Sequence, residues 1–429
     1  MGWLRSLNLI RSPPRHRKAP IFNRDSLLKN SQTQSSIQGV EVSLGKAVVL
    51  PCLLLTGAMF NLTLVVAGLK EFIIDELSGS VTQATLFFSV ETLAYIIFAP
   101  VWGLLSDRLG RRKPFIILGF LGSALIYALY GEIQSIELLL VLRFIQGALS
   151  VMGWSLVMAM MLDHPDRPRQ GRYMGLMGAS LIFGVALGAP MGGYFSRWFG
   201  ARAPLSAAAV LFLVLAIAAL ALRDSTALFP QERLRKVVRA LQSQPRLLFP
   251  MLFHFVDRLA VGLFVVVFPL YLDSLGADDP AVRGRYLAMF LLPFAVLQFF
   301  SGKLAERTGP VPPLMIGSLL YGIALCWVGV SGLMALRPIM VALGVFAAIM
   351  FPPAILLTAQ WSDRRTRGSA MGGFNLAGSL GFTIGPVLGA WVYKAYGFGT
   401  AFVVCGLMEI ALAIVGWLAL RRWTSTPSA

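Results

Sequence analysis

The chain has 429 residues, of which 57% are hydrophobic and 13% charged, and its mean hydropathy is +0.73. A soluble domain carries about 25% charged residues, so the composition excludes a water-soluble fold and points to helices that satisfy their own backbone hydrogen bonds in lipid. A net charge of +17 would suit a nucleic-acid binder, but the basic residues fall in short segments between apolar runs, which is a topological pattern and argues against nucleic acid as a partner.

Residues 1–46 form a basic tail with Arg5, Arg11, Arg15, Arg17, Lys18, Arg24 and Lys29, followed by a polar stretch from Ser31 to Gln38. It is expected to be disordered or to lie on the membrane surface. No signal-peptide core is present, and Met1, Gly2 and Ser6 fit only the minimal myristoylation pattern. Apolar runs of about 20 residues, the length that crosses a bilayer at about 1.5 Å per residue, then predict spans over 47–69, 82–105, 115–131, 138–162, 173–195, 204–222, 250–272, 286–306, 313–332, 338–361, 370–393 and 400–420. Twelve spans put both termini on one side. With Lys303, at the inner end of span 286–306, counted on that side, its segments hold 28 Lys and Arg against 7 opposite, with Arg143 and Arg258 left inside spans. The positive-inside rule therefore predicts cytoplasmic termini. Glu71, Asp75, Glu76, Glu132, Glu137, Asp273, Asp278 and Asp279 all fall on the other side. The longest internal connection, 223–249, carries Arg233, Arg235, Lys236, Arg239 and Arg246 and divides the chain into halves at 47–222 and 250–420, with a tail at 421–429. The three cysteines, Cys52, Cys326 and Cys405, sit singly in apolar runs and predict neither a disulfide framework nor a metal site.

After the second span the chain reads Gly103-Leu104-Leu105-Ser106-Asp107-Arg108-Leu109-Gly110-Arg111-Arg112-Lys113-Pro114. An ordinary positive-inside loop explains the arginines but not the spacing of Gly, Asp and Gly. This segment resembles the signature of the major facilitator superfamily between helices 2 and 3. A weaker copy, Gly302-Lys303-Leu304-Ala305-Glu306-Arg307-Thr308-Gly309, follows at a constant shift of 199. A second block repeats at a shift of 197: Gly175, Gly184, Gly188 and Gly192 correspond to Gly372, Gly381, Gly385 and Gly389. Two blocks with nearly equal shifts predict duplicated six-helix halves, the parallel-repeat arrangement of that superfamily. By the resemblance, Gly103, Asp107, Arg108, Gly110, Arg111, Glu306 and Arg307 form a conformational gate on the cytoplasmic side.

Gly184, Gly188 and Gly192 recur every four residues and make a smooth stripe for close helix packing. The stripe is similar to the family's helix 5 signature, associated with exporters that exchange substrate for protons. Pro190 stands one place later than in that signature, whereas Gly385-Pro386 in span 11 has the family's order. In span 4, Arg143, Gln146, Gly147 and Ser150 share one helical face. They resemble the family's helix 4 signature, whose arginine the resemblance assigns to proton coupling.

Glu91 lies well inside span 2 and is the expected proton carrier. At 1.5 Å per residue, Glu91 and Arg143 lie roughly 13 Å and 8 Å below the outer boundary, within reach of each other if their spans pack side by side. Arg143 is also close enough to the edge to snorkel into water. His254 and Asp257 are three apart and meet on one helical face, with Arg258 pointing elsewhere; they predict either a coupling or substrate site or a packing cluster. Glu409, in span 12, is expected in helix packing. Asn61, Gln146 and Asn375, together with Gln298, are the few polar side chains that could face a substrate cavity. The methionines Met152, Met158, Met160, Met161, Met174, Met177 and Met191 suit an adaptable apolar pocket or plain membrane filler. Gly45-Lys46 lacks the rest of a phosphate loop, since Val40 and Ala47 occupy two of its defining positions.

The expectation is an all-α membrane protein of twelve transmembrane helices in two pseudo-symmetric six-helix halves. It is expected to be a monomeric, proton-coupled antiporter in a bacterial cytoplasmic (inner) membrane, exporting a small amphipathic molecule by alternating access. Its partners would be the substrate, protons and lipid, without a cofactor, a metal or enzymatic activity. An importer or facilitator of a polar metabolite is the rival within the fold, and a non-transporting sensor or assembly factor is the rival from another class.

Overall fold

The computed structural model describes residues 48–162, 170–224, 241–363 and 366–425. The expected tail 1–46, the linker residues 225–240 with their basic cluster, and residues 426–429 lie outside them. The described chain forms long helices: α1 (Val48–Leu64), α2 (Val81–Leu109), α3 (Lys113–Leu129), α4 (Ile136–Leu162), α5 (Gln170–Phe199), α6 (Ala203–Ala219), α7 (Leu248–Ser274), α8 (Pro280–Thr308), α9 (Val311–Val330), α10 (Leu333–Trp361), α11 (Arg367–Tyr396) and α12 (Phe398–Ser425). Each carries one of the twelve expected spans. Nine are long and apolar enough to cross a membrane, and α1, α3 and α6 are shorter apolar helices. There is no strand among the described residues.

Local chemistry sets the helix ends. At the start of α2 the Gln83 N–H donates to Ser80 Oγ at 3.3 Å, and the Ser80 N–H donates to the Gln83 side chain at 2.8 Å, a complete capping box. Gly110 ends α2 at φ +65°, a left-handed conformation that a residue without Cβ adopts freely. The α8 start is capped by Asp279, which accepts from the Ala281 N–H at 2.8 Å, with Pro280 in the first turn.

One span differs from its expected extent. The apolar run predicted a single helix over 47–69, but α1 stops at Leu64, residues 65–68 form a turn and a π-helix follows over Lys70–Glu76. Val65, Val66, Ala67 and Leu69 remain buried, so composition cannot distinguish this turn from helix. Gly68 lets the turn press against α5, for a Cβ there would lie 2.8 Å from Ser196 Oγ.

The packing repeats. In the first half α1 packs on α5, α2 on α4, and α3 on both α4 and α6; in the second, α7 packs on α11, α8 on α10, and α9 on both α10 and α12. Glycines set the closest contacts. A Cβ on Gly184, Gly188 or Gly192 would fall 2.3, 2.2 or 1.7 Å from the carbonyl oxygen of Thr56, Phe60 or Leu64. On Gly381 or Gly385 it would fall 2.1 or 2.2 Å from that of Phe255 or Leu259, and on Gly389 it would meet the Leu263 side chain at 2.8 Å. The partners are related by a shift of 199 and the glycines by 197, so both halves use one register. Pro190 and Pro386 sit inside α5 and α11, among these glycines. The halves meet along α5 with α8 and α2 with α11, where the Phe88 and Phe382 rings pack edge to face at 5.3 Å.

Candidate functional site

The α2–α4 contact buries an ion pair. Gly147 brings the two backbones together, since a Cβ on it would lie 2.8 Å from the Glu91 carbonyl oxygen. Four residues back along α4, Arg143 is wholly buried and its Nη2 pairs with Glu91 Oε2. It does not snorkel. Its Nη1 donates to the Tyr127 hydroxyl at 2.6 Å and to Gln146 Oε1 at 3.1 Å, and its Nε donates to the Phe87 carbonyl at 3.2 Å. The guanidinium carbon also lies 4.1 Å from the centre of the Phe87 ring. The second carboxylate oxygen of Glu91 accepts from the Tyr95 hydroxyl at 2.7 Å. Opposite charges that meet in a low-dielectric interior offset each other's burial only with good geometry and further hydrogen bonds, and this site supplies both.

The two halves differ at this site. The equivalent contact of α8 with α10 is made by Gly344, whose Cβ would lie 2.2 Å from the Phe290 carbonyl oxygen. The same shifts place Phe290 opposite Glu91 and Met340 opposite Arg143, both buried and apolar. The second half carries its charge on α7 instead. Asp257 Oδ2 accepts from Arg258 Nε at 2.8 Å, with Arg258 Nη2 2.7 Å away, while His254 Nδ1 stands off at 3.9 Å. Arg258 therefore folds back onto its neighbour rather than pointing elsewhere: its long side chain spans the one-residue offset that short side chains cannot. Its guanidinium lies over Phe351 at 4.6 Å. His254 stacks on Phe374 at 4.0 Å and fills the space above Gly378, where a Cβ would meet Nε2 at 2.1 Å. His254 and Asp257 line a crevice with Phe253, Leu314, Met350 and Phe351. The α1 positions equivalent to His254, Asp257 and Arg258 are the apolar Leu55, Ala58 and Met59.

Other expected residues are dispersed. Asn61 is buried, and neither atom of its amide has a hydrogen-bond partner among the described residues. Gln146 belongs to the Arg143 cluster, and Asn375 is exposed on α11. Glu409 accepts from the Ser318 hydroxyl at 2.6 Å in the α9–α12 contact, and α12 also packs against α7. Where α2 passes into α3, Asp107 Oδ1 accepts from Arg112 Nη2 at 3.1 Å, and Asp224 accepts from the Arg112 and Lys113 backbone N–H groups at 3.0 and 3.2 Å. Arg108 and Arg111 are exposed, as are Glu306 and Arg307 in the second copy, where Gly309 has φ +82°. Sequence reasoning did not find Tyr127 and Tyr95; the latter's spacing of four from Glu91 on one helix was the available signal.

A family model described as Major Facilitator Superfamily matches residues 51–276 and again 250–428. The chain is 27% identical to Multidrug resistance protein MdtG of Dickeya zeae (strain Ech586), over 78% of this chain and 84% of that protein. It is 26% identical to the MdtG of Salmonella typhimurium (strain LT2), over 86% of this chain and 93% of that protein. Among solved structures, a bacterial homolog of the human lysosomal transporter Spinster, inward-facing and unoccupied, aligns with a TM-score of 0.77 at 14% identity, over 90% of this chain and 99% of that one. The human organic anion transporter MFSD10 aligns with a TM-score of 0.63 at 20% identity, over 86% and 99%.

Proposed function

The chain belongs to the major facilitator superfamily, and from that premise we propose that this secondary transporter exports small amphipathic molecules in exchange for protons. The observation that carries the reading is the wholly buried Glu91–Arg143 pair. An ionisable pair inside a membrane span is expensive, and it is retained where it works. Protonating Glu91 removes the charge that holds Arg143, so the α2–α4 contact differs between two states and a proton can bias the movement of one half against the other. The apolar second-half counterpart, Phe290 and Met340, confines that switch to the first half.

Export is favoured by the α5 glycine stripe and by the names of the MdtG relatives, which describe multidrug resistance. The polar metabolite importer is disfavoured, because Gln146 is committed to Arg143 and Asn61 is buried. Asp257, Arg258 and the rings of Phe351 and Phe374 form the second-half wall against which an amphipathic substrate would rest. The bias of basic residues supports both termini in the cytoplasm, and the bacterial MdtG relatives support a bacterial inner membrane. The test is dye accumulation in cells. Expression should lower the steady-state level of an amphipathic fluorescent dye, and collapsing the proton gradient should restore it. Unchanged accumulation across a panel of such dyes would contradict export.

A further inference from the structure

The α4 face that carries Arg143, Gly147 and Ser150 continues, four residues on, to Trp154. The indole is half-buried, yet its Nε1 is buried and has no hydrogen-bond partner among the described residues. The other tryptophan of the α2–α4 contact is satisfied, for Trp102 Nε1 donates to the Ala148 carbonyl at 2.8 Å. A buried donor without an acceptor is a cost to the fold that most buried polar groups avoid. Trp154 is also held in place. It packs edge to face on Tyr95 of α2, with ring centres 5.5 Å apart at 77°, and the Tyr95 hydroxyl is fixed in turn by its bond to Glu91.

The duplicated halves locate this indole. The shift of 199 carries Tyr95 onto Phe294 and the shift of 197 carries Trp154 onto Phe351, and these two rings are again edge to face, 6.0 Å apart at 67°. Phe351 lines the crevice with His254 and Asp257, so Trp154 holds the matching place on the wall of the first half. The chemistry of the two walls differs. In the second half the Arg258 guanidinium lies 4.6 Å from the centre of the Phe351 ring and 5.6 Å from that of Phe294, and neither ring can donate a hydrogen bond. In the first half the Tyr95 hydroxyl is committed to Glu91, which leaves Trp154 as the one ring of the four with a free donor. A substrate between the walls can rest apolar groups on any of these rings, but only Trp154 among them can bond an acceptor set within the apolar part of the molecule. An isostere without that acceptor leaves the donor unpaired. The N–H is covered in this conformation, so an acceptor reaches it when the halves part.

We propose that Trp154 is a specificity-determining residue of this transporter: its indole N–H selects amphipathic substrates that carry a hydrogen-bond acceptor within their ring system, and Tyr95 is the positioning residue that holds the indole. This rests on the export of amphipathic molecules proposed above. The test uses the full-length chain in proteoliposomes and two probes of one shape, an alkylammonium salt bearing a quinoline ring and its naphthalene isostere, which lacks the ring nitrogen. Wild type should transport the quinoline probe with a KM about fivefold below that of the naphthalene probe, the worth of one hydrogen bond. Trp154→Phe keeps an aromatic ring but loses the N–H, and should bring the two KM values to within about twofold of each other. Phe351→Leu should raise both KM values and keep their ratio, because the ring it removes serves both probes alike. Tyr95→Phe keeps the ring that holds the indole and should keep the ratio, whereas Tyr95→Leu should lose it. The proposal is overturned if wild type transports both probes with equal KM, if Trp154→Phe keeps the fivefold ratio, or if Tyr95→Phe and Tyr95→Leu give the same ratio. Should neither probe be transported or bound, the reading as an exporter of amphipathic molecules falls, and this proposal with it. Should Trp154→Phe fail to accumulate, replacement of Trp154 by benzothienylalanine, the sulfur isostere of tryptophan, removes the N–H with hardly any change of shape and decides alone.

Discussion

Neutralising the buried pair one charge at a time should give losses that do not add. Glu91→Gln keeps an oxygen for the Tyr95 hydroxyl but removes the charge facing Arg143, a loss of about 3 kcal/mol, at the lower end for stranding one member of a buried pair. Arg143→Gln strands Glu91 and also removes the donors to the Phe87 carbonyl, the Tyr127 hydroxyl and Gln146 Oε1. At about 1 kcal/mol for each orphaned acceptor, its loss rises to about 6 kcal/mol. The double variant strands neither charge and keeps only the cost of the orphaned acceptors, so it should lose about 3 kcal/mol rather than the additive 9 or so, a coupling of about 6 kcal/mol. Reversible unfolding in mixed micelles would measure all three variants against wild type. A double variant whose loss equals the sum of the singles to within about 0.5 kcal/mol would refute direct pairing of the two side chains.

Gly188→Val and Gly385→Val should each abolish stable accumulation in the membrane, because each Cβ would lie 2.2 Å from a helix carbonyl oxygen; western blotting of membranes reads this, and normal abundance would contradict the packing. Asp107→Ala should cut the transport rate severalfold with abundance retained, as measured by dye efflux in matched membranes, since it breaks the contact with Arg112 in the segment that joins α2 to α3. Glu409→Gln keeps a hydrogen-bond acceptor for Ser318 and should leave transport and its pH profile within about twofold of wild type, the small effect expected when a buried bond is conserved. Cysteines introduced at Ser78 and Asp278 should react with an impermeant reagent from outside the cell and one at Ser243 should not, with the reverse pattern contradicting cytoplasmic termini.

Apolar run lengths located all twelve helices, because lipid forces the backbone into a periodic solution that composition reveals. The shifts of 199 and 197 made the duplicated halves legible for a similar reason: glycines at a backbone contact leave no freedom to drift. Side-chain partnerships were less visible. Glu91 and Arg143 stood out because a charge in an apolar run is conspicuous, and their depths put them within a side chain's reach of each other. Tyr127 carries no such mark; a tyrosine in a span is ordinary until its hydroxyl is placed 2.6 Å from Arg143. Arg283 was hidden differently. It sits in a short polar segment where any arginine looks solvated, and only the docking of α8 against the first half buries it. The break after Leu64 left no trace because turn and helix are equally apolar there.

Exchange of a proton for an amphipathic substrate through Glu91 can be followed with purified protein in proteoliposomes carrying a pH-sensitive dye in the lumen. Adding substrate outside should move protons in the opposite direction, in wild type and in Glu409→Gln, and Glu91→Gln should bind substrate but move no protons. Substrate-driven proton movement undiminished in Glu91→Gln would contradict the account and redirect the search for the proton carrier to His254 and Asp257.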